Sequence, residues 1–279
     1  MNSISIRSLN ELKKEKIPIA AVTAYDSSFA SVVKDNGIEV ILVGDSLSVT
    51  MAGNETTINA TIDQIAYHTE CVKKGLGKEG PLLIADMPFM TYSNPEEALK
   101  NAAILMRSGA EMVKCEGGRW LKDIVAKLKE QGIPFCGHLG LTPQSVFSQG
   151  YVICEGPVER ERLLKDAIAL EEAGMQLLIL KCVQASIAKE ICDKLKIPVL
   201  GIGAGVDCDG QILILQDLLG MNTHGSILLD KTFHHEEEGP KKHIRNFLYS
   251  NPNGIKGAIK AYVKAVKERN FPNISETYT

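Results

Sequence analysis

Residues 177–184 read LLILKCVQ. Four apolar residues run without a break into a lysine. The run is too short for a helix and rich in leucine and isoleucine, which suits a strand buried on both faces. Such a strand can end on a lysine only where its end opens onto something polar, so the fold turns on what lies around it.

Seven further runs share the same form. They are IAAVTAY from Ile19, EVILVG from Glu39, LLIAD from Leu82, MVKCE from Met112, PFCGH from Pro134, PVLGIG from Pro198 and ILILQD from Ile212. Helical patterns lie between most of them. One spans 62–74, with Thr61 and Gln64 forming a capping box. Another begins Asn94-Pro95-Glu96-Glu97, an N-cap followed by proline and acids in the first turn. Others span 120–130, 158–173 and 184–195, and Gly109, Gly132 and Gly174 sit where helices should stop.

Eight strands alternating with helices point to a parallel α/β fold, and their number and the chain length match a (β/α)8 TIM barrel. A doubly wound open sheet is the alternative, because periodicity does not close a sheet. The chain reads as one domain over 1–279, with two helical patterns, 241–249 and 255–269, after an irregular stretch at 221–240.

Composition narrows the function. The 279 residues are 44% hydrophobic and 23% charged, with a net charge of -3, which gives no electrostatic case for nucleic acid. Seven scattered cysteines with no C-x-x-C pair fit a reduced, cytoplasmic chain better than a secreted one. The polar N-terminus has no signal-peptide core, and no apolar run approaches the ~20 residues of a membrane span.

In a barrel, catalytic groups gather at the C-terminal ends of strands. Three acids fall there on consecutive strands: Asp45, Asp86 and Glu116. Converging carboxylates repel unless a cation intervenes, and hard oxygen ligands favour Mg2+. Read singly, each acid would merely cap a helix. Lys114 lies two residues before Glu116, hence on the same strand face. It suits a substrate carboxylate, an ion pair with Glu116, or both. His138 reads equally as a donor to substrate and as a structural histidine. Gly201-Ile202-Gly203-Ala204-Gly205 resembles a dinucleotide finger but follows the seventh strand, so a tight turn approaching a ligand fits better. His234-His235-Glu236-Glu237-Glu238 reads as a solvated polar loop.

Taken together, T-A-Y-D at 23–26, V-G-D-S-L at 43–47, A-D-M-P-F at 85–89, V-K-x-E-G-G at 113–118, G-H-L-G-L-T-P-Q-S at 137–145, G-I-G-A-G at 201–205 and D-G-Q-I-L at 209–213 resemble the ketopantoate hydroxymethyltransferase family. The resemblance covers about residues 5 to 220 in unbroken order. It implies a (β/α)8 barrel of the phosphoenolpyruvate mutase/isocitrate lyase type, Mg2+ as cofactor, and a homo-oligomer, commonly a decamer. It implies transfer of a one-carbon unit from 5,10-methylenetetrahydrofolate to the 2-oxo acid 3-methyl-2-oxobutanoate. By motif position, Asp45 and Asp86 would hold the metal directly, and with it the substrate, and Glu116 through water. Ser46 and Lys114 would contact the oxo acid, and His138 would help to hold it.

One departure is sharp. At the end of the sixth strand the family carries a glutamate, in a pattern like L-E-C-V-P, whereas this chain has Leu180-Lys181-Cys182-Val183-Gln184. The presumed general base is a lysine. Three readings follow: Lys181 is itself the catalytic base; it stays charged and binds an anionic group; or it pairs with an acid and the chemistry lapses. The last two correspond to folate-independent enolate chemistry on another 2-oxo acid and to a silent, ligand-binding barrel. Ser48 in place of a glycine, the altered run Tyr151-Val152-Ile153-Cys154-Glu155-Gly156, and a longer 221–240 segment are lesser departures.

Overall fold

A computed structural model describes residues 3–221, 242–249 and 251–279. Eight strands form a closed parallel barrel in chain order: β1 Ile19–Thr23, β2 Val40–Val43, β3 Leu82–Asp86, β4 Met112–Glu116, β5 Phe135–Gly140, β6 Leu177–Lys181, β7 Val199–Ile202 and β8 Gly210–Leu213. β1 pairs with β2 on one side and β8 on the other, which removes the open-sheet alternative.

The pleat sorts each strand into two faces. Ile19, Ala21, Val40, Leu42, Leu82, Ile84, Met112, Cys136, Leu177, Ile179, Leu200 and Ile212 pack together inside the barrel. Their neighbours Ala20, Val22, Ile41, Leu83, Val113, Leu178 and Leu180 face the surrounding helices. The N-terminal helix Ile6–Lys14, started by Ser5 in a capping box, packs Leu9 against the interior set and so plugs one end. The interior is therefore a packed apolar core.

The helices start where their caps dictate. Thr61 and Gln64 form the expected capping box at Ile62–Leu76, and Asn94 caps Pro95–Arg107. Lys122–Glu130, Gly156–Ala173 and Ala185–Lys194 follow the expected spans within two residues.

Two expectations fail. The run from Ile212 is not a strand along its length. β8 begins two residues earlier, at Gly210, and Leu215–Leu218 is a short buried helix. A Cβ at Gly210 would lie 2.1 Å from the Ile19 carbonyl oxygen, so this closing strand needs a glycine that no apolar pattern announces. The helix over 241–249 does not form in the described residues 242–249, which are turns. The Asn246 side chain accepts from the Leu248 and Tyr249 amides, at 2.9 and 3.0 Å, and this local turn competes with a helix. Phe247 meanwhile packs edge-on against Tyr262 and Phe271. The later pattern does form a helix, Gly254–Lys267. The polar run at 234–238, and all but Met221 of the 221–240 segment, lie outside the described residues.

Candidate active site

The inward face of each strand changes character as it rises. On β6 the inward residues are Leu177, Ile179 and then Lys181. On β4 they are Met112, Lys114 and Glu116, on β3 Leu82, Ile84 and Asp86, and on β5 Cys136 and His138. Apolar layers thus give way to a layer of titratable side chains at the C-terminal rim. That is why the stretch at 177–184 ends on a lysine. Immediately afterwards Cys182 adopts a left-handed backbone, φ 51°, and ends the strand.

Asp45, Asp86 and Glu116 are all buried, and one carboxylate oxygen from each lies within 4.8 Å of the others. Lys114 Nζ donates to Asp86 Oδ2 at 2.7 Å and stands 3.5 Å from Glu116 Oε1. His138 Nδ1 lies 3.1 Å from the same Glu116 oxygen, too bent for a good hydrogen bond. Ser46 Oγ, where β2 turns into the helix Leu47–Thr50, pairs with the Tyr25 hydroxyl at 2.8 Å.

The charges are strongly interdependent. Burial, reinforced by Glu116, raises the Asp45 carboxyl above its usual range. Burial raises Asp86 well above it, although Lys114 pulls the other way. Glu116 goes down, to about 2: burial opposes ionisation, but His138 and Lys114 outweigh it. His138 is itself pushed below its ordinary value by burial, offset only in part by Glu116. Its charge therefore reinforces Glu116 only at acidic pH. Burial disfavours the Lys114 ammonium, yet Asp86, Glu116 and Asp45 together raise its pKa.

These residues fit a hard divalent cation. The donor set is all oxygen. Asp86 Oδ1 is buried and has no hydrogen-bond donor among the described residues. Two acids that resist ionisation by themselves would ionise beside a positive ion. Glu116 is the most committed of the three, since Oε1 faces Lys114 and His138 while Oε2 accepts the Gln144 amide at 3.0 Å.

Beside this cluster lies a small cavity of about 70 Å³. Leu42, Ile179, Ile202, Ile212, Leu213 and Ile214 form its apolar wall, and Lys181 lines it. Among the described residues the Lys181 ammonium has no ion-pair partner; its charge is nonetheless felt at Asp45 and His138. Every residue singled out by the sequence as a site candidate, Asp45, Ser46, Asp86, Lys114, Glu116, His138 and Lys181, borders this one cavity.

Other motifs go elsewhere. Ser48 donates to the Thr56 carbonyl and accepts from Asn54, so it secures its own loop and does not line the cavity. The glycines after β7 open no helix. Gly203 and Gly205 have positive φ and press against the Tyr278, His243 and Ala185 side chains, so the close approach is to the chain itself. Sequence reasoning gave no role to Gln144, which lies at the centre of the acid cluster. Its position in G-H-L-G-L-T-P-Q-S, six residues after His138, was the available signal.

Residues 3–274 match the family described as ketopantoate hydroxymethyltransferase. Relatives that span the whole chain include the 3-methyl-2-oxobutanoate hydroxymethyltransferases of Photorhabdus laumondii, 46% identical, and Pseudoalteromonas translucida, 47% identical; in both, the match covers 100% of either chain. Solved structures of similar fold include 2,3-dimethylmalate lyase, a phosphoenolpyruvate mutase/isocitrate lyase superfamily member, with TM-score 0.58 and 16% identity over 95% of this chain and 99% of that one. Oxaloacetate acetylhydrolase with bound oxalate gives 0.60 and 15% identity over 96% and 99%. The chain belongs to the ketopantoate hydroxymethyltransferase family.

Proposed function

We propose that this family member acts as a single barrel domain that transfers a hydroxymethyl group from 5,10-methylenetetrahydrofolate to 3-methyl-2-oxobutanoate. The product is 2-dehydropantoate, on the route to pantothenate. One observation carries the reading: a buried oxygen-ligand cluster with its own lysine stands at the mouth of an apolar cavity on the catalytic rim of the barrel. The family relatives support the same activity and a folate cosubstrate. The resemblance further favours a homo-oligomer, commonly a decamer. Among the described residues no helix is long and apolar enough to cross a membrane.

In this reading Asp45, Asp86 and Glu116 would hold Mg2+. The ion would draw electron density from the carboxylate and keto oxygens of the substrate, making its C3 hydrogen acidic. Lys114 and Ser46 bind the substrate carboxylate, with Tyr25 fixing the Ser46 hydroxyl. His138, kept neutral near pH 7 by burial, donates a hydrogen bond to the substrate. The apolar wall takes the isopropyl group and keeps water from C3.

Lys181 is the base. It follows Ile179 on the inward face of β6, and no acid among the described residues occupies its amine. Lys181 acts here as the neutral amine, and the C3 proton passes to Nζ. C3 bonds to the folate methylene carbon as that carbon's bond to N10 breaks. Water then displaces N5, so that the C3 proton and one water proton end on the two nitrogens of tetrahydrofolate and the hydroxyl stays on the product. The absence of an acid partner to Lys181 among the described residues also favours a second reading, in which the side chain stays charged and the substrate is a 2-oxo acid with another carboxylate.

Proton NMR in D2O with Mg2+ tests both. With 3-methyl-2-oxobutanoate the C3 signal should fade, and adding the folate should yield hydroxymethyl product. Lys181→Ala should slow the exchange by roughly 10²–10⁴-fold, while Lys181→Glu, which restores a carboxylate base, should keep it measurable. Bound substrate with no exchange, alongside turnover of 2-oxoglutarate or oxaloacetate, would overturn the first reading for the second.

A further inference from the structure

The most connected polar side chain in the cluster is neither acid nor lysine. Gln144 is buried, in the short turn Pro143–Ser145 after β5. Its Nε2 donates to Asp45 Oδ2 at 2.9 Å and to the Met87 carbonyl at 3.1 Å. Its Oε1 accepts from the Tyr92 hydroxyl at 2.6 Å. Its backbone amide donates to Glu116 Oε2 at 3.0 Å. One residue thus touches the acid after β2, the loop after β3 and the acid on β4.

We propose that Gln144 is a positioning residue that sets the Asp45 carboxylate for cation binding. The proposal rests on the reading of Asp45, Asp86 and Glu116 as a divalent-cation site. Among the described residues, Gln144 is the sole hydrogen-bond donor to the Asp45 carboxylate. It occupies Oδ2 with a neutral N–H, which turns Oδ1 away from itself and adds no charge to compete with a cation.

The orientation of the amide is not free. Two acceptors, Asp45 Oδ2 and Met87 O, require its nitrogen on one side, which puts its oxygen toward the Tyr92 hydroxyl; that hydroxyl lies 2.6 Å from it and 3.2 Å from the Glu116 carbonyl. A glutamate of the same shape would set a carboxylate against two acceptors. A leucine would leave Asp45 without a donor and within the field of Lys114 and Lys181, both of which act on its carboxyl. An Asp45 side chain turned toward either ammonium would be lost to the cation.

Mn2+ titration of the metal-free full-length protein, followed by the electron paramagnetic resonance of free Mn2+, reads this without any turnover. Gln144→Leu and Gln144→Glu should each weaken Mn2+ binding by roughly 10- to 100-fold. Tyr92→Phe, which removes the hydroxyl that orients the amide together with its longer contact to the Glu116 carbonyl, should weaken it less and covers the case in which the other variants fail to fold. Wild-type affinity in a folded Gln144→Leu protein, or in Tyr92→Phe where the first two do not fold, would overturn the proposal. Absence of Mn2+ binding by the wild type would instead overturn the cation site itself, and this role with it.

Discussion

Lys114 Nζ stands 2.7 Å from Asp86 Oδ2, and the other oxygen of that carboxylate, Oδ1, is buried with no donor among the described residues. The lysine and the Asp45 amide both serve one oxygen of the acid, and the other is left to a further partner.

Removing the ammonium should therefore be costly. Lys114→Met fills the same volume but strands the buried carboxylates of Asp86 and Glu116. We expect a loss of about 3–5 kcal/mol in chemical denaturation with EDTA present. The loss should narrow in excess Mg2+, because acids freed of the competing ammonium bind the ion more tightly than in wild type and so gain more stability from it. A variant within about 1 kcal/mol of wild type in EDTA would mean that the pair does not stabilise the cluster.

His138 gives the site a pH dependence of defined sign. Its folded pKa lies below the unfolded value, because burial outweighs Glu116. Between those two values the unfolded chain binds a proton that the folded chain does not, so stability falls as pH drops below about 6.5. Replacing it by glutamine should flatten that part of the curve. Urea melts at several pH values on either side of 6.5 measure this, and parallel curves for wild type and His138→Gln would refute it.

Gly140 faces Lys181 across the β5–β6 seam, with φ 95°. A Cβ there would lie 2.2 Å from the Lys181 carbonyl oxygen and 2.7 Å from Val183. Gly140→Ala should cost roughly 1–3 kcal/mol from overpacking, with a further 1–3 from the left-handed backbone. Thermal melts measure the cost. An unchanged melting temperature would show that the seam yields freely.

The barrel was legible because a strand buried on both faces leaves an unmistakable apolar run, and seven of the eight runs begin within one residue of their strands. The eighth was misplaced because its first two residues, Gly210 and Gln211, carry no apolar signal; Gly210 answers instead to the close approach of Ile19. The acid trio was legible because carboxylates at strand ends are chemically conspicuous. Gln144 was not, since an amide in a turn looks like any surface polar group until its four partners are in place. The turn at 242–249 was misread as a helix because Phe247 is apolar for the sake of Tyr262 and Phe271, not of a helical stripe.

The backbone at Lys181 is held on three sides by other strands and loops. Its carbonyl accepts the Leu141 amide at 2.8 Å, the Cys182 amide bonds to the Ile202 carbonyl at 2.9 Å, and the Cys182 carbonyl accepts the Cys154 amide at 2.9 Å. None of these bonds involves a side chain. Position 181 is thus an interchangeable tool holder: an acid, an amine or an amide can be mounted there without re-tooling the frame. A single substitution would change the charge presented to Asp45 and His138 while leaving the frame in place.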